Sequence, residues 1–453
     1  MAFESINPTT GELIGKYPEH DAQAVEHRLQ SSWDCWTKWS REPMSKRAAF
    51  LLRLAELLDE RVEEYARLIT LEMGKPISEA RGEVKKAAFG AHHFAEQGAA
   101  YLQPETIAGT PGRVVYESLG PILAIMPWNL PFWQVLRFFI PSALVGNTVV
   151  VKHAETVQGC ALAIESLVRD AGGPNGLYVN LAVQRSAVAS VIADSRIRAI
   201  TVTGSVQAGR AVAQQAGHYG KKVVLELGGS DPFVVFEDAD ISKAVELGVT
   251  SRYSNNAQSC IAAKRFLIAE PIFDAYLQAF VEQASGLKVG DPLLPETKLG
   301  PQARADLRQA TERQVKDAVS AGARVLTGGK TPDGPGYFYP PTVLIDLPHE
   351  AAVAREEFFG PVALFYTFNT EEEAIQLAND TEFGLGATVW SRDIARANAV
   401  AARIEAGAVF VNDFVRSDPR APFGGVKGSG VGRELGALGA RELTNAKLIW
   451  EGN

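Results

Sequence analysis

Cys260 lies in the stretch SNNAQSCIAAKR (254–265), as one of only three cysteines among 453 residues. Three roles are open to it: an inert buried thiol, a metal ligand, or a nucleophile. A nucleophilic thiolate needs polar, partly exposed surroundings, and Asn255, Asn256, Gln258 and Ser259 supply polar groups just ahead of it. Free cysteines commonly serve as small apolar core residues. Cys160, in an apolar helical pattern, and Cys35, in SSWDCW, fit that description. No CxxC pair, HExxH or EF-hand loop occurs, and the seven histidines show no ligand spacing, so no metal is expected.

Three more stretches could assist a nucleophile. PWNLPF (127–132) follows an apolar run, and its two prolines stiffen the turn that carries Asn129. A rigidly held amide suits an oxyanion, although a turn asparagine needs no such role. LELGG (225–229) ends a strand-like run with Glu226, either a general base or a solvated surface carboxylate. VVVKHAE (149–155) places Lys152 and Glu155 three apart, as a polar ligand site or a surface ion pair. TVTGSVQAG (201–209) reads as strand, glycine turn and helix start. There Gly204 permits close approach and Ser205 could meet a phosphate, or could simply cap the helix. It is not GxGxxG, and no GxxxxGK[ST] exists.

These residues need a scaffold that brings strand ends together. MSKRAAFLLRLAELLDERVEEYARLITLEM (44–73) repeats apolar residues at helical spacing and predicts one long amphipathic helix, stopped by Gly74 and Pro76. A second helix is expected over about 77–98. From residue 113 onward, ILAIMP, TVVVK, LYVNLAV, AITVTG, KVVLEL and PFVVFE alternate with helical segments and form one series. Continuous apolar strands with helical crossovers indicate a parallel sheet covered on both faces, whose ligands gather at the carboxyl ends of strands. From about residue 240 the alternation restarts as a second α/β unit, with a hinge at Gly228-Gly229. PGRVVYESLG (111–120) and RELTNAKLIW (441–450) read as exposed strands that seek a partner in another subunit.

Composition narrows the class further. The hydrophobic content of 46% and charged content of 22% are those of an ordinary folded protein of two or three domains. The net charge of −8 comes without a basic stripe and speaks against nucleic acid. FWQVLRFFIPSALVG (132–146) is broken by Arg137 and Pro141 and is too short to span a bilayer. The N-terminal residues lack a signal-peptide pattern, and sparse cysteines suit a reducing compartment, so a cytoplasmic protein is expected.

Taken together, the stretches resemble the NAD(P)-dependent aldehyde dehydrogenase superfamily. PWNLPF, Lys152, TGS with Gly209, LELGG, the QSC segment, REEFFGPV (355–362) and PFGGVKGSGVGRELG (422–436) occur in that family's order over essentially the whole chain. The resemblance implies two doubly wound α/β domains, one for cofactor and one for catalysis, plus a small oligomerisation β-flap. The implied bounds are 1–100 and 121–227 for the dinucleotide domain, 228–432 for the catalytic domain, and 101–120 with 433–453 for oligomerisation. It implies Cys260 as nucleophile, Glu226 as general base, and Asn129 with the Cys260 N–H as oxyanion hole. On the cofactor side it implies Pro127, Trp128, Lys152, Glu155, Gly204, Ser205, Glu357 and Phe359, while Arg433 and Glu434 match a structural motif. Ala257 stands where the family usually has glycine; a positive φ there would strain it.

The family's chemistry is thiolate attack on an aldehyde, hydride loss to the nicotinamide, and hydrolysis of the resulting thioester. Glu155 would accept hydrogen bonds from the ribose of NAD and repel the 2′-phosphate of NADP, so NAD is favoured. The chain is most similar to the shorter succinate-semialdehyde dehydrogenases. Trp133, Arg137, Ser259 and Ser417 match their substrate positions, with Arg137 expected to hold the distal carboxylate or, alternatively, an internal glutamate. Other semialdehydes or aliphatic aldehydes remain open, as does a thiol hydrolase without redox activity, which the nucleotide positions disfavour. A homodimer or homotetramer is expected.

Overall fold

The apolar runs form parallel strands. In the computed structural model, which describes residues 2–452, a first sheet contains Pro121–Met126, Thr148–His153, Tyr178–Asn180, Ala199–Thr203 and Lys222–Glu226, all parallel. Numbered along the chain, these five strands lie in the order 3-2-1-4-5. The order reverses between Pro121–Met126 and Ala199–Thr203, and the carboxyl ends of strands flanking such a reversal form a ligand crevice. The PWNLPF turn follows the first of these strands and the TGS turn the second.

A second sheet runs, in spatial order, through Arg324–Thr327, Thr342–Ile345, Val362–Phe368, Ala263–Ala269, Asp231–Val235, Gly386–Trp390 and Ala408–Val411, with only the first strand antiparallel. The run PFVVFE, expected to close the first series, instead opens this second sheet, paired with Ala263–Ala269 and Gly386–Trp390. Periodicity identifies a buried strand but not the sheet it joins. The crossing from one sheet to the other uses Gly228-Gly229. A side chain at Gly228 would come within 2.4 Å of the Glu357 carboxylate, and one at Gly229 within 2.5 Å of the Cys260 carbonyl oxygen.

Two further expectations are revised. The helix expected over 44–73 is two helices, Met44–Glu60 and Val62–Met73, parted at Arg61 (φ −108°). No glycine or proline marks this break; the Arg61 guanidinium is drawn to Asp170 at 2.6 Å. The strands Gly112–Ser118 and Thr444–Trp450, expected to seek another subunit, pair with each other along their full length in an antiparallel ladder, and Glu105–Thr106 adds a third strand. Gly430–Val431 returns to the first sheet as an antiparallel edge beside Lys222–Glu226. That return places Arg433 and Glu434 under the first sheet's strand ends.

The largest buried cluster joins the helices Met44–Glu60 and Ile77–Tyr101 to the first sheet. It extends through Trp128, Phe132 and Trp133, with half-buried Cys260 and Phe359 packed against its edge. Among the described residues no helix is long and apolar enough to cross a membrane. No group of three or more His, Cys, Asp or Glu among them is placed to hold a metal ion.

Candidate active site

The helix Ile241–Tyr253 ends just before the cysteine loop, and the chain then turns through three consecutive left-handed residues: Asn255 (φ 56°), Asn256 (φ 55°) and Ala257 (φ 60°). Asparagine tolerates this region, while alanine there costs about 1–2 kcal/mol. The strain expected at Ala257 is therefore present. Hydrogen bonds hold the loop against it. Asn256 Nδ2 donates to the carbonyls of Gly74 (2.7 Å) and Pro301 (2.8 Å), and its Oδ1 accepts from Gly300 N–H (2.7 Å). Asn255 Nδ2 donates to the carbonyls of Asn129 (3.0 Å) and Gln258 (2.9 Å). The amides that supply polar groups ahead of Cys260 thus brace backbone.

Cys260 emerges from this loop half-buried. Burial pushes its thiol up to about 12, against the opposing pull of Lys264 and Arg137. At neutral pH the resting sulfur is a thiol, and reaction must remove its proton. Lys264, which the sequence reading passed over, is fully buried and donates to the carbonyls of Ser259 (2.8 Å) and Cys260 (2.5 Å), fixing the loop from below. The signal for it was a Lys264-Arg265 pair inside the strand Ala263–Ala269, whose other residues are apolar.

Asn129 is buried beside this loop and its Nδ2 donates to Gln258 O at 2.9 Å. One amide proton is engaged there, and an amide group carries two. Glu226, at the end of Lys222–Glu226, is 2% exposed, and neither carboxylate oxygen has a hydrogen-bond partner in the protein. Burial raises its pKa well above the usual carboxylate range, Glu434 raises it further, and Arg137 and Arg433 draw it down. A buried, unpartnered carboxylate calls for a functional explanation, and proton transfer supplies one.

The sequence reading offered the Arg137 guanidinium a substrate carboxylate or, alternatively, an internal glutamate. In the structure its Nε lies 2.5 Å from Glu434 Oε2, with the side chains only 2% and 5% exposed, and its guanidinium stacks 4.7 Å from the Phe423 ring centre. A buried arginine without an acid partner would be costly, and the fold supplies that acid from its distant C-terminal segment. The internal-glutamate alternative describes Arg137.

On the nucleotide side, Lys152 ends Thr148–His153 and lies 3.5 Å from half-exposed Glu155. Ser205 caps the helix Val206–His218 by accepting from Ala208 N–H at 3.3 Å. Space above Gly204 is open, with no atom within 4 Å of an added Cβ. Half-buried Pro127 precedes Trp128, whose ring meets the Phe359 ring edge-on at 5.9 Å. Glu357 accepts from Gly229 N–H at 3.0 Å and lies 3.6 Å from Lys264 Nζ. An open glycine turn at a helix start, beside a strand-end lysine and carboxylate, fits a dinucleotide.

Trp133 opens the helix Trp133–Val145, and its indole N–H donates to Ser417 Oγ at 2.9 Å. Glu83, also missed by the sequence reading, anchors this helix by accepting from the N–H groups of Phe132 (2.8 Å) and Trp133 (2.9 Å). Its other oxygen takes the buried Lys75 ammonium. Ser259 is half-buried beside Cys260.

The molecule is a doubly wound α/β enzyme whose cysteine loop meets the strand ends of a nucleotide-type sheet. Residues 1–449 match the aldehyde dehydrogenase family. The chain is 47% identical to the succinate semialdehyde dehydrogenase [NAD(P)+] Sad of Escherichia coli over 449 residues, covering 99% of this chain and 97% of that protein. It is 44% identical to the probable succinate-semialdehyde dehydrogenase [NADP(+)] of Synechocystis over 452 residues, covering 99% of this chain and 100% of that protein. Among solved structures, the succinic semialdehyde dehydrogenase of Streptococcus pyogenes, in complex with NADP+, superposes with a TM-score of 0.97 at 36% identity over 100% of both chains. The chain belongs to the aldehyde dehydrogenase family and is an aldehyde-oxidising oxidoreductase.

Proposed function

We propose that this enzyme oxidises succinate semialdehyde to succinate with NAD through a covalent intermediate on Cys260. The observations that support the mechanism are the bond of Asn129 to Gln258 O at 2.9 Å, which ties it to the Cys260 loop, and a buried, unpartnered Glu226 whose charge acts, as that of Cys260 does, on Arg137. Glu226, where ionised, takes the thiol proton, and the sulfur bonds to the aldehyde carbon as a thiohemiacetal. The oxyanion that forms lies against the free amide proton of Asn129 and the Cys260 N–H; one such donor is worth about 3–4 kcal/mol in the transition state. A bound nicotinamide would supply the hydride acceptor for that carbon. Glu226, once it has released the thiol proton to solvent, takes a proton from the water that attacks the thioester; the C–S bond then breaks, the Cys260 sulfur recovers that proton from Glu226, and succinate leaves.

Lys152, Glu155, Gly204, Ser205, Glu357 and Phe359 would hold the dinucleotide, with Pro127 and Trp128 flanking it. NAD preference rests on Glu155, whose carboxylate suits ribose hydroxyls and opposes a 2′-phosphate. Relatives whose names carry NADP(+) make NADP the competing cofactor. Trp133, Ser259 and Ser417 line the aldehyde side, and succinate semialdehyde is supported by relatives of that name at 42–47% identity. Action in the cytoplasm as a homodimer or homotetramer completes the reading, supported by exposed Leu448 and Trp450 on the small third sheet.

The test is a panel of aldehydes assayed with NAD and NADP by reduced-nicotinamide absorbance, in wild type and Cys260→Ala. The variant should bind nucleotide and turn over no aldehyde. Measurable oxidation by it would remove Cys260 as nucleophile.

A further inference from the structure

Three buried cations flank the Cys260 loop in sequence: Arg252, Lys264 and Arg265. The two arginines are engaged by backbone. Arg252 donates to the carbonyls of Ala257, Ala263, Phe358 and Gly360, and Arg265 to those of Ser230 (2.9 Å), Leu377 (2.7 Å) and Ala378 (2.9 Å). Lys264 differs. Two of its protons reach the Ser259 and Cys260 carbonyls, and an ammonium carries three. Two acids face it: Glu357 at 3.6 Å, and Asp231, which opens the adjoining strand opposite Ala263. Asp231 is 2% exposed, and neither of its carboxylate oxygens is hydrogen-bonded. A Cβ at Gly229 would meet Asp231 Oδ1 at 2.9 Å and the Cys260 carbonyl oxygen at 2.5 Å, so the carboxylate and the nucleophile's backbone border one point. A buried, unbonded carboxylate is costly and calls for a function. Burial pushes Asp231 up to about 7, opposed by Lys264 and the nearby Gly386 N–H, with Glu357 adding to the rise and Arg265 opposing it. Its charge therefore changes across neutral pH.

We infer that Lys264 and Asp231 are positioning residues for the nucleophile: the Lys264 ammonium, fixed against the Cys260 carbonyl, favours the thiolate, and the Asp231 carboxylate, when ionised, offsets it. Lys264 is foremost among the charges that draw the thiol down, ahead of Arg137, while Glu357 and then Asp231 act against them. The inference rests on the proposed reaction for its meaning and names what sets the state of its sulfur.

The experiment follows alkylation of the nucleotide-free enzyme by iodoacetamide across neutral pH, with Cys260→Ala as the blank for buried Cys35 and Cys160. The thiolate displaces iodide, so below the thiol pKa the rate follows the thiolate fraction, about tenfold for each unit of pKa. Lys264→Met should slow alkylation about tenfold at every pH, and Lys264→Arg should restore part of the rate. Removing a lysine that merely braced the loop would loosen it and leave the rate equal or higher. Asp231→Asn keeps the shape and removes the charge. It should match wild type below about pH 7, where Asp231 is protonated, and run about three- to tenfold faster above it. This gap decides the matter if Lys264→Met fails to fold, because an aspartate with a purely structural role would give a constant difference. A gap that is absent or independent of pH, or a folded Lys264→Met that alkylates as fast as wild type, overturns the assignment. The reaction itself fails separately: alkylation reports the thiol whether or not it turns over aldehyde, and oxidation by Cys260→Ala would remove the nucleophile without altering these rates.

Discussion

Replacing Arg137 with methionine would leave Glu434 without the cation now 2.5 Å away, at a site where both side chains are at most 5% exposed. Methionine keeps most of the volume of the arginine stem, so the packing loss is small and the electrostatic loss dominates. Removing one member of a buried pair costs about 3–5 kcal/mol, because the surviving charge is stranded; replacing both by apolar groups is often neutral. Arg137→Met should therefore lower the melting temperature markedly, Glu434→Gln should do so as well, and the double variant should lose less than the sum. The kinetics should separate the two single variants. Arg137 draws the Glu226 pKa down and Glu434 pushes it up, so the pH–rate profile should move to higher pH in Arg137→Met and to lower pH in Glu434→Gln. Thermal melts and pH profiles of the three variants make the test. An Arg137→Met enzyme that melts like wild type and shows only a raised KM for succinate semialdehyde would refute the buried pair and restore Arg137 as the substrate anchor.

Two other outcomes follow from the site. Burial and Glu434 hold Glu226 above the usual carboxylate range, so its base form increases as pH rises through that elevated value. Thioester hydrolysis, followed as single-turnover decay of the acyl-enzyme, should accelerate with pH in wild type and lose that dependence in Glu226→Gln; an unchanged slope in the variant would dismiss Glu226 as the base. Glu155→Ser removes the carboxylate that opposes a 2′-phosphate and should raise the NADP-to-NAD ratio of kcat/KM at least about tenfold. A ratio that stays put would move nucleotide selection to other residues.

What the sequence revealed is governed by range. Strand ends are legible because apolar runs stop at LEL, VVVK and the proline turn, and parallel sheets gather those ends. That is why Asn129 and Glu226 could be nominated without coordinates, Asn129 on the turn just past one strand and Glu226 as the last residue of another. At Arg137 an internal glutamate was a legible alternative but its identity was not, because Glu434 arrives through the edge strand Gly430–Val431, folded back from the far end of the chain. The same holds for PGRVVYES and TNAKLIW, which read as two lone edges and prove to be one ladder. The break at Arg61 was invisible for a different reason: the apolar periodicity continues across it, with no glycine or proline to mark the interruption. The polar run before Cys260 signalled an unusual loop correctly and its purpose incorrectly, since an asparagine at positive φ and an asparagine near an oxyanion look alike in sequence.

That loop also explains how a strained alanine is tolerated. Three successive residues at φ between 55° and 60° turn the chain sharply before Cys260. Left to itself such a turn would relax toward right-handed geometry, because each non-glycine residue loses free energy there. Asn256 prevents this by bonding three backbone groups from two separate segments, Gly74 at a helix end and Gly300 and Pro301 in a distant loop. Asn255 bonds the carbonyl of Asn129 itself. Asn129 is thus linked to the cysteine loop at both ends, its carbonyl through Asn255 and its side-chain amide through Gln258 O. Any shift of the sulfur must carry the amide with it. The spacing between the proposed nucleophile and the proposed oxyanion donor is held by backbone carbonyls rather than by the packing of either side chain, so substitutions that loosen the core nearby should lower stability before they lower turnover.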